Sequence, residues 1–187
     1  MFNKNILVLD IEATGLDFYK NEIIQIAAIL LDKKTLKEKK SFESFIKPTN
    51  WKSRDPEAME VNNISWDMLK KAPSLKTVLK NFEKTFGTNV IVAPYGTILD
   101  TAMLRIAYKK CALTYKFDYH VFDIWPLVYI YMAKKRKLTN KKRFSGFSLE
   151  DAANHLGIKI EAGRHTALID CRLEAEVLRK IVKKVKV

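Results

Sequence analysis

The chain has 187 residues, of which 34 are Lys or Arg and 21 are Asp or Glu, so its formal net charge is +13. This length favours a single domain over residues 1–187, and a hydrophobic fraction of 48% excludes a disordered chain. Its two cysteines, Cys111 and Cys171, form no CxxC pair, which excludes a cysteine zinc site and favours a reducing compartment, the cytoplasm.

The sequence contains no candidate membrane span and no signal peptide. The longest apolar run, residues 124–133, is about half the length of a membrane helix. The apolar stretch before Asp10 lacks a cleavage site and predicts a first strand. We therefore expect no membrane contact. The positive charge alone leaves a nucleic-acid partner and an ordinary Lys-rich surface equally open.

Hydrophobic periodicity and capping residues divide the chain into strands first and mostly helices later. In chain order they predict strands at 6–11, 23–31 and 41–46, helices at 65–69 and 75–86, a strand at 90–93, a helix at 100–111, a strand at 120–124, and helices at 125–135, 149–156 and 167–185. This order predicts an α/β fold. A three-strand antiparallel meander is extended by two crossover strands into a mixed five-stranded sheet, flanked by helices.

Two acidic residues, Asp10 and Glu12, end the first predicted strand. Residues two apart on a strand point to the same face, so the two carboxylates lie side by side and repel unless a cation separates them. Such hard oxygen ligands suit Mg²⁺ or Mn²⁺. Thr14 and Gly15 then turn the chain away at the carboxyl end of the strand, where open α/β sheets bind ligands. A second D-x-E, at residues 55–57, contains a proline and is interpreted as a structural loop or helix start.

Three residues further along the chain fit the same site. Asp100 follows the fourth predicted strand and begins a helix, while His165 and Asp170 come at the start of the last helix. Residues 163–164 predict a loop, which allows His165 to turn toward a group bound by Asp170. The other two histidines, His120 and His155, lack an acid at this spacing and are interpreted as structural.

These residues resemble the DEDDh family of 3′→5′ exonucleases, which have a ribonuclease-H-like fold. The family includes the proofreading subunit of bacterial replicative DNA polymerase. The matching motifs are Asp10-Ile11-Glu12-Ala13-Thr14-Gly15-Leu16, Pro56-Glu57-Ala58 with Ile64-Ser65, Ser148-Leu149 with Leu156-Gly157-Ile158, and His165-Thr166-Ala167-Leu168-Ile169-Asp170. The resemblance extends over about residues 6–181. It departs at residues 93–99, where the usual His-Asn-Ala-x-Phe before the second acid is replaced by Ala93-Pro94-Tyr95-Gly96-Thr97-Ile98-Leu99.

The resemblance implies metal-dependent hydrolysis of phosphodiester bonds. Asp10, Glu12, Asp100 and Asp170 would hold two divalent ions, Mg²⁺ or Mn²⁺, about 3.5–4 Å apart. Asp10 would be shared between both ions, with Glu12 and Asp170 on the nucleophile side and Asp100 on the other, partly through water. His165 would be the general base that accepts a proton from the attacking water.

The resemblance also implies attack at single-stranded nucleic-acid 3′ ends, with release of nucleoside 5′-monophosphates. The backbone around Thr14 and Gly15 would meet the terminal 3′ hydroxyl, and Leu16 would wedge against the last base. The first motif and the strand that follows it favour DNA. RNA ends or short oligoribonucleotides are the alternative, because contacts to the 2′ hydroxyl decide the sugar.

A third hypothesis is a non-catalytic nucleic-acid-binding module with the same fold. It is disfavoured because a module without catalysis has little physical reason to keep four carboxylates that repel phosphate. The sequence identifies no polymerase or repair partner and no oligomeric state.

Because the expected site is acidic, the excess Lys and Arg must lie around it. The basic stretch at residues 134–143 is the first candidate for guiding phosphates, with a solvated loop as the alternative.

Overall fold

The computed structural model describes residues 2–135, 148–160 and 166–185, without the side chains of residues 97 and 98. Four strands and seven α-helices lie within these ranges, with one short 3₁₀ helix at Trp51–Ser53. They are β1 (Ile6–Ala13), β2 (Ile23–Leu31), β3 (Glu38–Phe45), α1 (Pro56–Asn62), α2 (Trp66–Leu69), α3 (Leu75–Phe86), β4 (Ile91–Ala93), α4 (Thr97–Lys110), α5 (Ile124–Lys134), α6 (Leu149–Leu156) and α7 (Ala167–Val185).

The strands form one mixed sheet in the order β3-β2-β1-β4. β1 runs antiparallel to β2 and parallel to β4, and β2 runs antiparallel to β3. The predicted α/β class and the three-strand meander are therefore confirmed. Because β1 and β4 are parallel neighbours, the chain leaves both strands at the same edge of the sheet.

The predicted strand at residues 120–124 is wrong, so the sheet has four strands in the described part of the chain. The segment does run beside β4: Phe122 N–H donates to the Val92 carbonyl at 2.8 Å, and Ile124 N–H donates to the Pro94 carbonyl at 3.0 Å. A parallel ladder would need residue 94 to donate back to the Phe122 carbonyl. Pro94 has no N–H, so the ladder does not form.

Helices cover both faces of the sheet, and each face has its own apolar core. Ile6 and Val8 belong to the core beneath α5, α6 and α7, whereas Leu7 and Leu9 belong to the core beneath α3 and α4. β2 is buried along its whole length, as expected for a strand covered on both sides. Since alternate residues share a face, the next even-numbered residue of β1, Asp10, points to the α7 side.

Short polar side chains begin several helices as the sequence predicts. Ser74 accepts a hydrogen bond from Thr77 N–H at the start of α3. Ser148 and Asp151 form a reciprocal capping box at the start of α6. Asp55 accepts from Glu57 N–H and begins α1, so the second D-x-E is a helix start.

The longest apolar run of the sequence becomes α5, which has 11 residues. Its buried side chains, Ile124, Val128 and Met132, pack into the core on the α7 side of the sheet. Among the helices that the structure describes, none combines the length and the apolar character needed to cross a membrane.

Candidate active site

Three carboxylates converge at the carboxyl end of β1. One oxygen from each of Asp10, Glu12 and Asp170 lies within 4.8 Å of the other two, and we call these residues the acidic cluster. Asp10 and Glu12 extend from β1, and Asp170 comes from the first turn of α7. The two strand carboxylates, predicted from their i, i+2 spacing, therefore lie next to an acid on the helix that packs against the same face of the sheet.

Asp100 lies beside the acidic cluster, although it comes from α4 on the other face of the sheet. β4 is the neighbour of β1 in the sheet, and α4 begins shortly after β4. Asp100, in the first turn of α4, therefore lies near the carboxyl ends of both strands. The backbone N–H of Ile11 lies within hydrogen-bonding reach of its carboxylate. Burial, together with the charge of Glu12, raises the pKa of Asp100. All four predicted acids therefore lie together.

The carboxylate of Asp10 is poorly compensated. The residue is half-buried, but its Oδ2 is enclosed and has no hydrogen-bond partner among the described residues. Burial raises the pKa of Asp10, and the charges of Asp100, Glu12 and Asp170 raise it further. A divalent cation would give this oxygen a partner and offset the repulsion, so the donor set fits a hard metal ion.

The turn after β1 is fixed by a network around Thr14. Thr14 is fully buried; its Oγ1 accepts from Glu22 N–H at 2.9 Å, and its own N–H donates to the Glu22 carbonyl at 2.9 Å. Its carbonyl accepts from Asn21 Nδ2 at 3.2 Å. Gly15 has φ 154°, and a Cβ there would lie 2.5 Å from Asn21 Oδ1. Only glycine fits this position of the loop.

A groove of about 430 Å³ opens beside the acidic cluster. Leu16, Leu99 and Val61 give it apolar walls, and the side chains of Leu16 and Val61 are 72% and 84% exposed. The buried Asn62 also lines the groove, and its Nδ2 donates to the Ala13 carbonyl at 3.1 Å. Leu16, predicted as a wedge, therefore lies at the rim of a groove that adjoins the carboxylates.

Sequence reasoning missed a buried acid of this site, Glu174. It lies on α7 one turn after Asp170 and lines a second cavity, of about 280 Å³, together with Asp10, Asp170 and Tyr95. The sequence does contain a signal, because side chains four residues apart on a helix share a face. That spacing alone does not reveal that the side chain is buried.

The predicted general base and most of the basic stretch lie outside the part of the chain that the structure describes. They are His165 and residues 136–143. Lys134 and Lys135 are exposed at the end of α5. The neighbouring Tyr131 has Lys184 Nζ 5.7 Å from its ring centre, near the end of α7 away from Asp170. At 1.5 Å per helical residue, α7 rises about 20 Å between Asp170 and Lys184, so Tyr131 lies toward the end of α7 that is remote from the acidic cluster.

The two histidines interpreted as structural make local contacts at the surface. His120 Nδ1 lies 3.0 Å from Asp118 Oδ1, and His155 Nδ1 lies 2.7 Å from the Asp151 carbonyl. Neither belongs to the acidic cluster.

Comparison with known proteins gives one family. The family model RNase_T, described as Exonuclease, matches residues 7–178. DNA polymerase III PolC-type of Clostridium perfringens (strain 13 / Type A) is 29% identical over 187 residues, which is 99% of this chain and 12% of that protein. The PolC-type protein of Thermotoga petrophila is 30% identical over 185 residues, covering 98% of this chain and 12% of its own length. The chain spans about 12% of the length of these curated relatives.

Solved structures agree on the fold. The nuclease domain of 3′hExo, a DEDDh family member bound to rAMP, has a TM-score of 0.70 and 19% identity, covering 97% of this chain and 92% of that one. E. coli Exonuclease I in complex with a dA16 oligonucleotide has a TM-score of 0.77 and 16% identity, covering 97% of this chain and 41% of that one. At these identities the likeness concerns the fold.

Proposed function

The chain belongs to the DEDDh family of 3′→5′ exonucleases, and on that premise we propose that it hydrolyses single-stranded nucleic acid, preferably DNA, from the 3′ end with the help of divalent ions. The observation that carries the proposal is the convergence of the acidic cluster, with one oxygen from each residue within 4.8 Å of the others. Asp100 lies beside it, and Asp10 Oδ2 lacks a partner in the described structure. Such a set is costly to bury unless it binds a cation.

Asp10, Glu12, Asp100 and Asp170 are the proposed ligands of two ions, Mg²⁺ or Mn²⁺. When bound, the ions would neutralise charge on the scissile phosphate and lower the pKa of the attacking water. Asp10 is the proposed shared ligand, since both Asp170 and Asp100 lie close to it. His165 is the proposed general base, because it belongs to the same sequence motif as Asp170, five residues before it.

The groove beside the acidic cluster is the proposed site of the terminal nucleotide. Leu16 would contact the last base from the exposed rim. Thr14 fixes the loop, because its own N–H already donates to the Glu22 carbonyl. The contact to the 3′ hydroxyl would therefore fall to the backbone of Gly15. Cleavage of the last phosphodiester bond would release a nucleoside 5′-monophosphate.

The preference for DNA is supported by the PolC-type relatives, whose name is that of a DNA polymerase. By the same likeness we propose a polymerase or repair assembly as partner, which co-purification of the tagged protein would test. We also propose that residues 1–187 form one exonuclease domain in the cytoplasm. The two cysteines are free, and buried Cys171 Sγ lies 3.4 Å from the Ala27 carbonyl, in keeping with a reducing compartment.

The test is a comparison of 5′-labelled single-stranded DNA and RNA of the same sequence, each with Mg²⁺, Mn²⁺ or EDTA. We expect metal-dependent shortening, faster on DNA. Asp10→Ala should reduce it by about 10³-fold or more, since several kcal/mol of charge stabilisation is lost. The matched control is Asp67→Ala, because Asp67 is exposed on α2 and pairs with Lys70. Equal activity in EDTA would contradict metal dependence, and faster cleavage of RNA would reverse the substrate assignment.

A further inference from the structure

Glu174 is a buried acid that the four predicted ligands do not account for. It is 3% exposed and lies on the face of α7 that packs against the sheet. The backbone N–H of Tyr95 donates to its carboxylate, whereas Oε2 is enclosed and has no hydrogen-bond partner in the described part of the chain. Among the described ion pairs, none includes Glu174.

The surroundings of Glu174 make its carboxylate expensive to bury. Burial raises its pKa, and the charges of Asp10, Asp100 and Asp170 raise it further. A leucine would fill a similar volume without this penalty, and replacing a buried charge by an apolar group is often neutral or stabilising. A packing role therefore gives no physical reason for an acid at this position.

Glu174 and two residues of the acidic cluster, Asp10 and Asp170, line the same cavity. Asp10, Asp170, Glu174 and Tyr95 line one cavity of about 280 Å³, which is large enough for several water molecules. Two unpartnered oxygens, Asp10 Oδ2 and Glu174 Oε2, thus belong to residues that line one cavity. Tyr95, which holds Glu174, lies in the segment that departs from the family pattern.

We propose that Glu174 is a fifth carboxylate of the metal centre, a positioning residue that contacts the cation held by Asp10 and Asp170 through water in the shared cavity. The contact is indirect because, among the described residues, Glu174 is not part of the group whose oxygens all lie within 4.8 Å of one another. Tyr95 N–H orients the carboxylate of Glu174, which lines the cavity together with Asp10 and Asp170. Such outer-shell acids fix the ligands and add negative charge, so they increase metal affinity. This inference rests on the proposed metal-dependent function.

The test is Mn²⁺ binding by titration calorimetry, with thermal unfolding in Mn²⁺ and in EDTA. Glu174→Gln keeps the size and an oxygen for Tyr95 N–H but removes the charge. We expect its Mn²⁺ dissociation constant to rise by about 10- to 100-fold. Its gain in melting temperature on adding Mn²⁺ should shrink, while its melting temperature in EDTA stays equal or rises. Glu176→Gln is the matched control, because Glu176 lies on α7 but pairs with Arg179.

The outcomes distinguish failure of this inference from failure of the proposed function. If wild type binds Mn²⁺ and both Glu174→Gln and Glu174→Leu bind it equally well, Glu174 has no role toward the cation and this inference is wrong. A purely structural role would change the melting temperature by the same amount with and without Mn²⁺, which also contradicts it. If wild type itself binds no Mn²⁺, the proposed function fails, and this inference fails with it.

Discussion

Asp10 and Asp170 stand on different elements, one at the end of β1 and the other in the first turn of α7, yet each brings a carboxylate oxygen within 4.8 Å of the other. Packing of α7 on the sheet fixes this approach, since the buried Cys171 Sγ contacts the Ala27 carbonyl at 3.4 Å. The protein therefore holds like charges together by its core. Without a cation, this arrangement opposes folding.

The first prediction concerns stability against pH in EDTA. Burial and like charges raise the pKa of Asp10 in the folded protein above the unfolded value of about 3.9. Between the unfolded and the folded pKa, the folded state binds more protons than the unfolded state. The free energy of unfolding therefore falls as the pH rises from the unfolded pKa to the folded pKa. We expect Asp10→Asn to be more stable than wild type in EDTA at pH 8, by about 1 kcal/mol or more. The difference should vanish near pH 4.

Denaturant unfolding of both proteins at several pH values measures this difference. Adding Mn²⁺ should stabilise wild type and not Asp10→Asn, because the variant lacks the shared carboxylate. Asp67→Asn serves as the control for loss of an exposed carboxylate. Equal stability of wild type and Asp10→Asn at pH 8 in EDTA would show that the acids do not repel as argued.

The second prediction concerns Gly15. Gly15→Ala would place a Cβ 2.5 Å from Asn21 Oδ1, while Asn21 is held by bonds to Thr14 and Ser53. We expect a loss of about 1–3 kcal/mol of stability and reduced nuclease activity, because the loop must shift. Gly87→Ala is the control: φ is also positive, at 67°, but a Cβ would lie in open space. Activity of Gly15→Ala equal to that of Gly87→Ala would refute a role of this loop.

The third prediction concerns the groove. Leu16 is 72% exposed, so Leu16→Ala should change the free energy of unfolding by no more than about 0.5 kcal/mol. If Leu16 contacts the terminal base, the variant should show a higher KM for single-stranded oligonucleotides. Tyr19→Ala is a suitable control, since Tyr19 is 77% exposed in the same loop and does not line the groove. An unchanged KM would remove Leu16 from the substrate site.

The fourth prediction concerns His165, assigned from its sequence motif. His165→Ala should lower kcat by about 10²–10⁴-fold, the usual contribution of a general base, and leave Mn²⁺ affinity unchanged. His155→Ala provides the comparison, because His155 Nδ1 lies 2.7 Å from the Asp151 carbonyl and the residue is not part of the acidic cluster. Turnover of His165→Ala at the wild-type rate would require another base.

Local sequence patterns were sufficient to predict most of the strands and helices and the four acids of the candidate site. Alternation along β1 predicts that Asp10 and Glu12 share a face, and the caps at Ser74 and Ser148 begin helices where expected. The strand at residues 120–124 failed because its formation depends on the partner strand. Pro94 of that partner region cannot donate a hydrogen bond, which periodicity within 120–124 does not reveal.

Glu174 illustrates what sequence spacing leaves open. Its position one turn after Asp170 follows from the helix, but its burial depends on the contact between α7 and the segment after β4. Tyr95 provides the hydrogen bond from that segment, and it lies far from Glu174 in the chain. Only the tertiary structure brings the two together, so the acid beside the cluster could not be predicted from periodicity.

The direction of attack on single-stranded DNA distinguishes a 3′→5′ exonuclease from nucleases that act elsewhere on the strand. A 5′-labelled linear strand and a closed circular strand are incubated with wild type in Mn²⁺. The acidic cluster beside an end-binding groove predicts a ladder of products shortened from the 3′ end, release of nucleoside 5′-monophosphates, and an intact circle. Cleavage of the circle, or loss of the 5′ label as a mononucleotide at the earliest times, would contradict a 3′→5′ exonuclease.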